Sequence, residues 1–197
     1  HLRLMRSGPE QFLFRNPGHL GDSEAPVRIP AKNWESGTWT RDPSRRAVDM
    51  VGGWYDAGDQ IKFTLTIAYT TYFLLRAWEE NPGIQAKWLS PDDFPDILDE
   101  AKFGLSYLEK CLVDDTTFVI QIGDSRDHQQ PSRLPENDKL EGIRPALSAL
   151  APVQIGYTSA ALALGARIFK ERGDKEQARR WLATARKLHT IATRQNA

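Results

Sequence analysis

Between Ile67 and Trp78 apolar residues occupy almost every side of the helical wheel: Ile67, Ala68, Tyr69, Tyr72, Phe73, Leu74, Leu75, Ala77 and Trp78. That pattern predicts a helix buried on most sides, not an amphipathic surface helix. Asn81-Pro82-Gly83 would end it, and Ser90-Pro91-Asp92-Asp93 marks a second turn before a helix that opens with Pro95. There Leu98, Ala101, Leu105, Leu108 and Leu112 step by threes and fours, so one stripe faces a neighbour. A third helix is expected from Pro152 to Arg172, stopped by Gly173, and Asp174 with Gln177 resembles a capping box that starts a fourth. On that last helix Trp181, Ala185, Leu188 and Ala192 share a face. Residues 117–122 read as a short strand, and the polar stretch 123–145 as a long functional loop.

Residues 1–50 carry punctuation and little periodicity, and read as extended or looped. A long loop cannot bury Trp34 and Trp39 by itself, so these indoles either pack on a larger body or face a ligand. Four sizeable helices with almost no strand predict an all-α fold, either an α/α toroid or a helical bundle. The inner-type helix at 67–78 favours the toroid.

Lysine plus arginine equals aspartate plus glutamate at 26 each, so no net field draws the chain to nucleic acid or an anionic membrane. No run approaches the ~20 apolar residues of a membrane span. The one cysteine, Cys111, falls on an apolar helical stripe and reads as a buried structural thiol. The sequence opens at His1 with no start methionine or signal segment and closes at Ala197 within a helical pattern, so both ends read as cut from a longer chain.

The densest chemical signal is Gly52-Gly53-Trp54-Tyr55-Asp56-Ala57-Gly58-Asp59. Glycine permits tight backbone, so Asp56 and Asp59 can turn toward one water, and two neighbouring carboxylates make a usable general base. Asp-Ala-Gly-Asp alone also fits a plain turn or part of a calcium loop. Trp54, Tyr55 and Phe63 tip the balance, because flat rings beside carboxylates can stack on sugar faces.

This run, with Lys62-Phe63 after it, resembles the signature of glycoside hydrolase family 9, the inverting cellulases and related β-glucanases. Arg6-Ser7-Gly8, the stretch Pro95 to Leu105, Gly123-Asp124 with Asp127-His128, and Thr158 to Ala163 follow in that family's order. The resemblance implies an (α/α)6 barrel, of which residues 1–197 would form roughly the first half, the N-terminal portion of one catalytic domain. It implies Asp59 as general base, Asp56 holding the water, and Trp54, Tyr55, Asp127 and His128 as substrate-binding residues. The general acid would be a glutamate outside this chain; Glu136 and Glu141 read as solvated loop residues. The substrate implied is cellulose or a related β-glucan, the location secreted or periplasmic, and no cofactor is expected. Departures from the family's pattern are Gln60, Val51 and Gln129-Gln130-Pro131, the last where a sugar-stacking tryptophan is usual. A stretch that holds calcium in many members aligns with Pro152 to Thr158, which carries no carboxylate, so no metal is expected there. Two competing readings are a catalytically lapsed carbohydrate-binding protein of the same fold and a plain helical interaction module. Half a toroid would also expose the apolar faces of its inner helices and favour self-association.

Overall fold

A computed structural model describes residues 2–9, 15–44, 46–56, 58–81, 94–130, 132–140 and 143–195. The turn residues 82–83 and 90–93, and Ala57, Pro131 and Glu141, lie outside the described residues. Four long helices carry the fold: α1 (Thr64–Glu80), α2 (Asp96–Cys111), α4 (Pro152–Glu171) and α5 (Lys175–Gln195), with a one-turn helix, α3 (Ser125–His128), between α2 and α4. Their ranges agree with the sequence pattern to within a few residues, as strong periodicity allows.

α1 packs on both α2 and α4, and α4 packs along α5. This pairing places α1 and α4 in one layer and α2 and α5 in the other. Gly173 (φ 96°) turns α4 into α5. Asp174 and Gln177 tie the start of α5 to α2: Lys102 donates to the Asp174 carboxylate at 3.1 Å, and Gln177 donates to Glu109 at 3.1 Å. α5 buries Ala178, Trp181, Ala185, Leu188 and Ile191 and leaves its other face polar. α1 behaves differently: Tyr69 and Phe73 are each 49% exposed, and Val153 and Tyr157 of α4 continue the same open apolar face. The predicted exposure of inner-helix faces is therefore present.

Strand content is where the structure departs from the sequence reading. Short strands form one sheet: β1 (Ala25–Pro30), β2 (Trp39–Arg41), β3 (Ala47–Val48), β4 (Lys62–Phe63), β5 (Leu112–Asp114), β6 (Thr117–Ile122) and β7 (Ala146–Ser148). The main order is β2-β1-β7-β6-β4, with β1 and β7 parallel and the other pairs antiparallel. β6 is the strand read at 117–122, whereas the two- and three-residue strands carry no readable alternation, and β4 and β7 find their partners far away in sequence, so local pattern could not find them. Trp34 and Trp39 pack, partly buried, against the main core, which answers the question of what covers them.

Candidate active site

The aspartate loop is set by β4 and its neighbours. β4 leads directly into α1, and its pairing with β6 (Lys62↔Ile122, Phe63↔Gln121) lays the loop before β4 against the turn that follows β6. An antiparallel pair necessarily does this, because the entry of one strand lies beside the exit of the other. The loop closes through Ile61: Asp56 N donates to Ile61 O at 2.9 Å, while Ile61 N donates to Asp59 Oδ1 at 2.9 Å. Before the loop, Ser7 N donates to Gly53 O at 2.8 Å and Tyr55 N to Met5 O at 2.9 Å. Gly53 sits at φ 73°, where a Cβ would meet Tyr107 Cδ2 at 2.9 Å and Ile67 Cδ1 at 3.0 Å, so this approach of backbone to α1 and α2 requires glycine.

Asp59 Oδ2 faces His128 Nδ1 at 2.6 Å, with side chains 15% and 59% exposed. His128 ends α3, whose first turn is capped by Asp124, its Oδ1 accepting from Arg126 N at 3.1 Å. Asp56 opens on a recess of about 170 Å³ lined by Leu2, Met5, Trp54, Tyr55, Thr66, Ile67 and Thr70. The two carboxylates therefore have different surroundings: one paired with an exposed imidazole, the other at the mouth of a recess over the first turns of α1.

Three of the residues expected to contact sugar are buried in this structure. Trp54 is buried: its Nε1 donates to Glu100 Oε1 at 2.7 Å and its ring packs at 5.8 Å from the Phe103 ring. Tyr55 is buried as well, its hydroxyl 2.7 Å from His19 Nδ1, and burial raises its phenol pKa. Neither ring offers a free face to stack on, because each satisfies its polar atom inside the protein, as buried Trp and Tyr do. Asp127 is 1% exposed between Arg133 (3.2 Å) and Arg144 (3.8 Å), so it braces the His128 turn from within. Burial, opposed by Arg144, pushes its carboxyl pKa upward. Glu136 is half-buried, and its Oε1 accepts from Asn16 N at 3.0 Å at the surface, joining two loops.

Beneath the loop lies a buried charge cluster that the sequence reading missed. Lys62 Nζ reaches Asp22 Oδ2 at 2.7 Å, Met50 O at 2.6 Å and Gly52 O at 2.9 Å. Burial lowers its pKa to about 8 even with Asp22 beside it. Arg144 shares Asp22, donating from Nη1 at 3.0 Å, and also donates from Nη2 to Gln60 O. Gln60 in turn donates to Arg133 O at 2.8 Å, and Arg133 holds Asp138 at 3.0 Å. His19 closes the set with Nε2 2.6 Å from Asp138 Oδ2. Burial first, then the charge of Arg144, lowers His19 to about 4, so its imidazole is neutral near pH 7. The one readable signal was Lys62, a cation lodged in the apolar run Ile61 to Phe63; its partners sit singly in punctuated loops.

Among the described residues no three His, Cys, Asp or Glu side chains are grouped to hold a metal ion. Pro152 to Thr158, the stretch aligned with a calcium segment, is the start of α4 and carries no carboxylate, so it does not fit that ion. No helix of the described residues is long and apolar enough to cross a membrane.

The paired helical layers are those of an (α/α)6 barrel. The cellulase Cel9M of C. cellulolyticum in complex with cellobiose superposes with a TM-score of 0.73 at 26% identity, covering 98% of this chain and 41% of its own. Sequence similarity makes the assignment narrower: residues 2–197 match glycosyl hydrolase family 9, and the chain belongs to that family. Endoglucanase A of Bacillus pumilus is 33% identical over an alignment of 177 positions that covers 85% of this chain and 26% of that protein. Endoglucanase 22 of Arabidopsis thaliana is 33% identical over 140 residues, 70% of this chain and 28% of that protein. The chain thus spans about a quarter of the length of these curated relatives.

Proposed function

We propose that this chain contributes the water-activating side of an inverting glycoside hydrolase that cleaves β-1,4-glucosidic bonds in cellulose or a related β-glucan. Asp59 acts as general base and Asp56 helps hold the attacking water. Asp59 Oδ2 takes a proton from that water as its oxygen bonds to the anomeric carbon, and an acid from outside this chain protonates the departing glycosidic oxygen. Inversion needs base and acid roughly 6.5–9.5 Å apart, which two carboxylates on one tight loop are poorly placed to span. The observation that carries this reading is the partly exposed Asp59–His128 pair at 2.6 Å, on the same loop as an Asp56 that lines a recess. In this reading His128, the more exposed partner, turns to a sugar hydroxyl when substrate binds and releases Asp59 Oδ2 for the water.

Membership in a family whose compared members are named endoglucanases and cellulases supports the substrate class. A polymeric glucan substrate also favours action in a secreted or periplasmic location. The test is Asp59→Asn in the complete protein, assayed for release of reducing ends from cello-oligosaccharides. A general base contributes about 10²–10⁴-fold, so turnover should fall by that factor with oligosaccharide binding retained. Turnover at the wild-type rate refutes the role of Asp59.

A second reading, a catalytically lapsed glucan-binding protein, is favoured by one observation: Asp59 Oδ2, the oxygen a general base needs free, is engaged by His128 Nδ1 at 2.6 Å. It predicts cello-oligosaccharide binding with no reducing-end release by the complete protein. Self-association of the chain through the open face of Tyr69, Phe73 and Tyr157 belongs to the proposal as well. Sedimentation that gives a monomer at micromolar concentration would exclude it.

A further inference from the structure

Arg144 is the residue on which the two halves of the site converge. It is 1% exposed, and its guanidinium makes three separate connections. Nη1 donates to Asp22 Oδ2 at 3.0 Å and Oδ1 at 3.3 Å, Nη2 donates to Gln60 O, and Nε lies 3.8 Å from Asp127 Oδ2. Gln60 follows Asp59 in the chain, and Asp127 precedes His128. Arg144 Nε and Asp127 Oδ2 are both buried without a hydrogen-bond partner and face each other, opposite in charge, at 3.8 Å. The planar fork of arginine can serve several acceptors in fixed directions at once, which a lysine ammonium on a flexible stem cannot.

We propose that Arg144 is a positioning residue that fixes the spacing between Asp59 and His128 from beneath the site. It does so by holding the carbonyl after the base on one side and the carboxylate before the histidine on the other. This rests on the reading of Asp59 as general base. Asp22, shared with Lys62 at 2.7 Å, anchors Arg144 and sets its direction. Gly123 belongs to the same device: a Cβ there would come within 2.5 Å of Asp127 Oδ2 and 3.3 Å of Arg144 Nη2, so no side chain can be admitted between them.

The test uses Arg144→Lys and Arg144→Met in the complete protein, with two readouts. One is amide hydrogen exchange over residues 58–61 and 123–128. Both variants should exchange there at least tenfold faster than wild type, with α4 protected as before. The other is steady-state kinetics on cello-oligosaccharides, per folded molecule and well below the melting temperature. A misplacement of about 1 Å costs on the order of 10²-fold, so kcat should fall about 10- to 100-fold with KM within about threefold, less for Lys than for Met. Arg144→Lys keeps the buried positive charge beside Asp22 and carries the test if Arg144→Met does not fold. Unchanged exchange in both segments, or wild-type kcat in a variant whose only defect is a lower melting temperature, overturns the proposal. Absence of turnover in the wild type would instead refute the hydrolase reading, and the exchange experiment would still decide the positioning role.

Discussion

Acid should destabilise this protein through His19, in a pH window above the usual carboxylate range. The side chain is fully buried, and its two nitrogens are engaged by Tyr55 OH at 2.7 Å and Asp138 Oδ2 at 2.6 Å. A neutral ring satisfies both if Nε2–H donates to Asp138 and Nδ1 accepts from Tyr55, an assignment made from the hydrogen-bond network. Burial and Arg144 hold its pKa at about 4 in the folded state, against 6.5 in an exposed chain. Between those values the unfolded chain binds more protons than the folded one, so stability falls as pH is lowered from 6.5 toward 4. The difference of 2.5 units, at ~1.36 kcal/mol each, sets a ceiling of about 3 kcal/mol on the loss. Asp138 acts in the same sense but lower: burial favours its neutral form, yet bonds from Arg133, Leu140 N and His19 hold it at about 2. Asp127, raised by burial, acts in the opposite sense in the carboxylate range. Urea unfolding followed by tryptophan fluorescence at pH 7, 6, 5 and 4.5 measures the slope. His19→Asn should flatten it between pH 6.5 and 4.5. A wild-type stability that is level from pH 7 to 5, or an unchanged slope in His19→Asn, would refute the assignment of a buried neutral imidazole.

Other consequences can be checked separately. Gly53→Ala adds a methyl into Tyr107 and Ile67 at a backbone φ of 73°, and should lower the unfolding free energy by roughly 1–3 kcal/mol; a thermal melt superimposable on wild type would contradict this. Glu100→Ala removes one acceptor from the Arg6 guanidinium (2.8 Å) and leaves the Trp54 indole N–H (2.7 Å) without its carboxylate. Arg6 keeps Asp99 at 3.0 Å, so the cost should be about 2–3 kcal/mol, below the ~3–5 of an isolated buried pair, and a loss under half a kcal/mol would show the pair is not buried. Burial pushes the Cys111 thiol up to about 12, so thiol reagents should modify it only on unfolding. Stoichiometric labelling of the native protein within minutes would speak against its placement in the core.

The sequence by itself determined the helices and the chemistry-bearing loop. Helical periodicity is local, and α1, α2, α4 and α5 fall where apolar spacing and the stops at Asn81 and Gly173 put them. The motif from Gly52 to Asp59 was equally legible, because its glycines and aspartates are neighbours in the chain and match a family pattern. Tertiary structure alone decided which of those residues face outward. Trp54 and Tyr55 look like sugar platforms when read in a line, but Glu100 and His19, from distant segments, draw their polar atoms inward. The same holds for the pairing of Asp59 with His128 across 69 positions, and for the meeting of Asp22, Lys62 and Arg144 under the loop. Such contacts depend on the β4–β6 register and the packing of loops around it. Strands of two or three residues paired at long range leave no periodic trace in the chain that forms them.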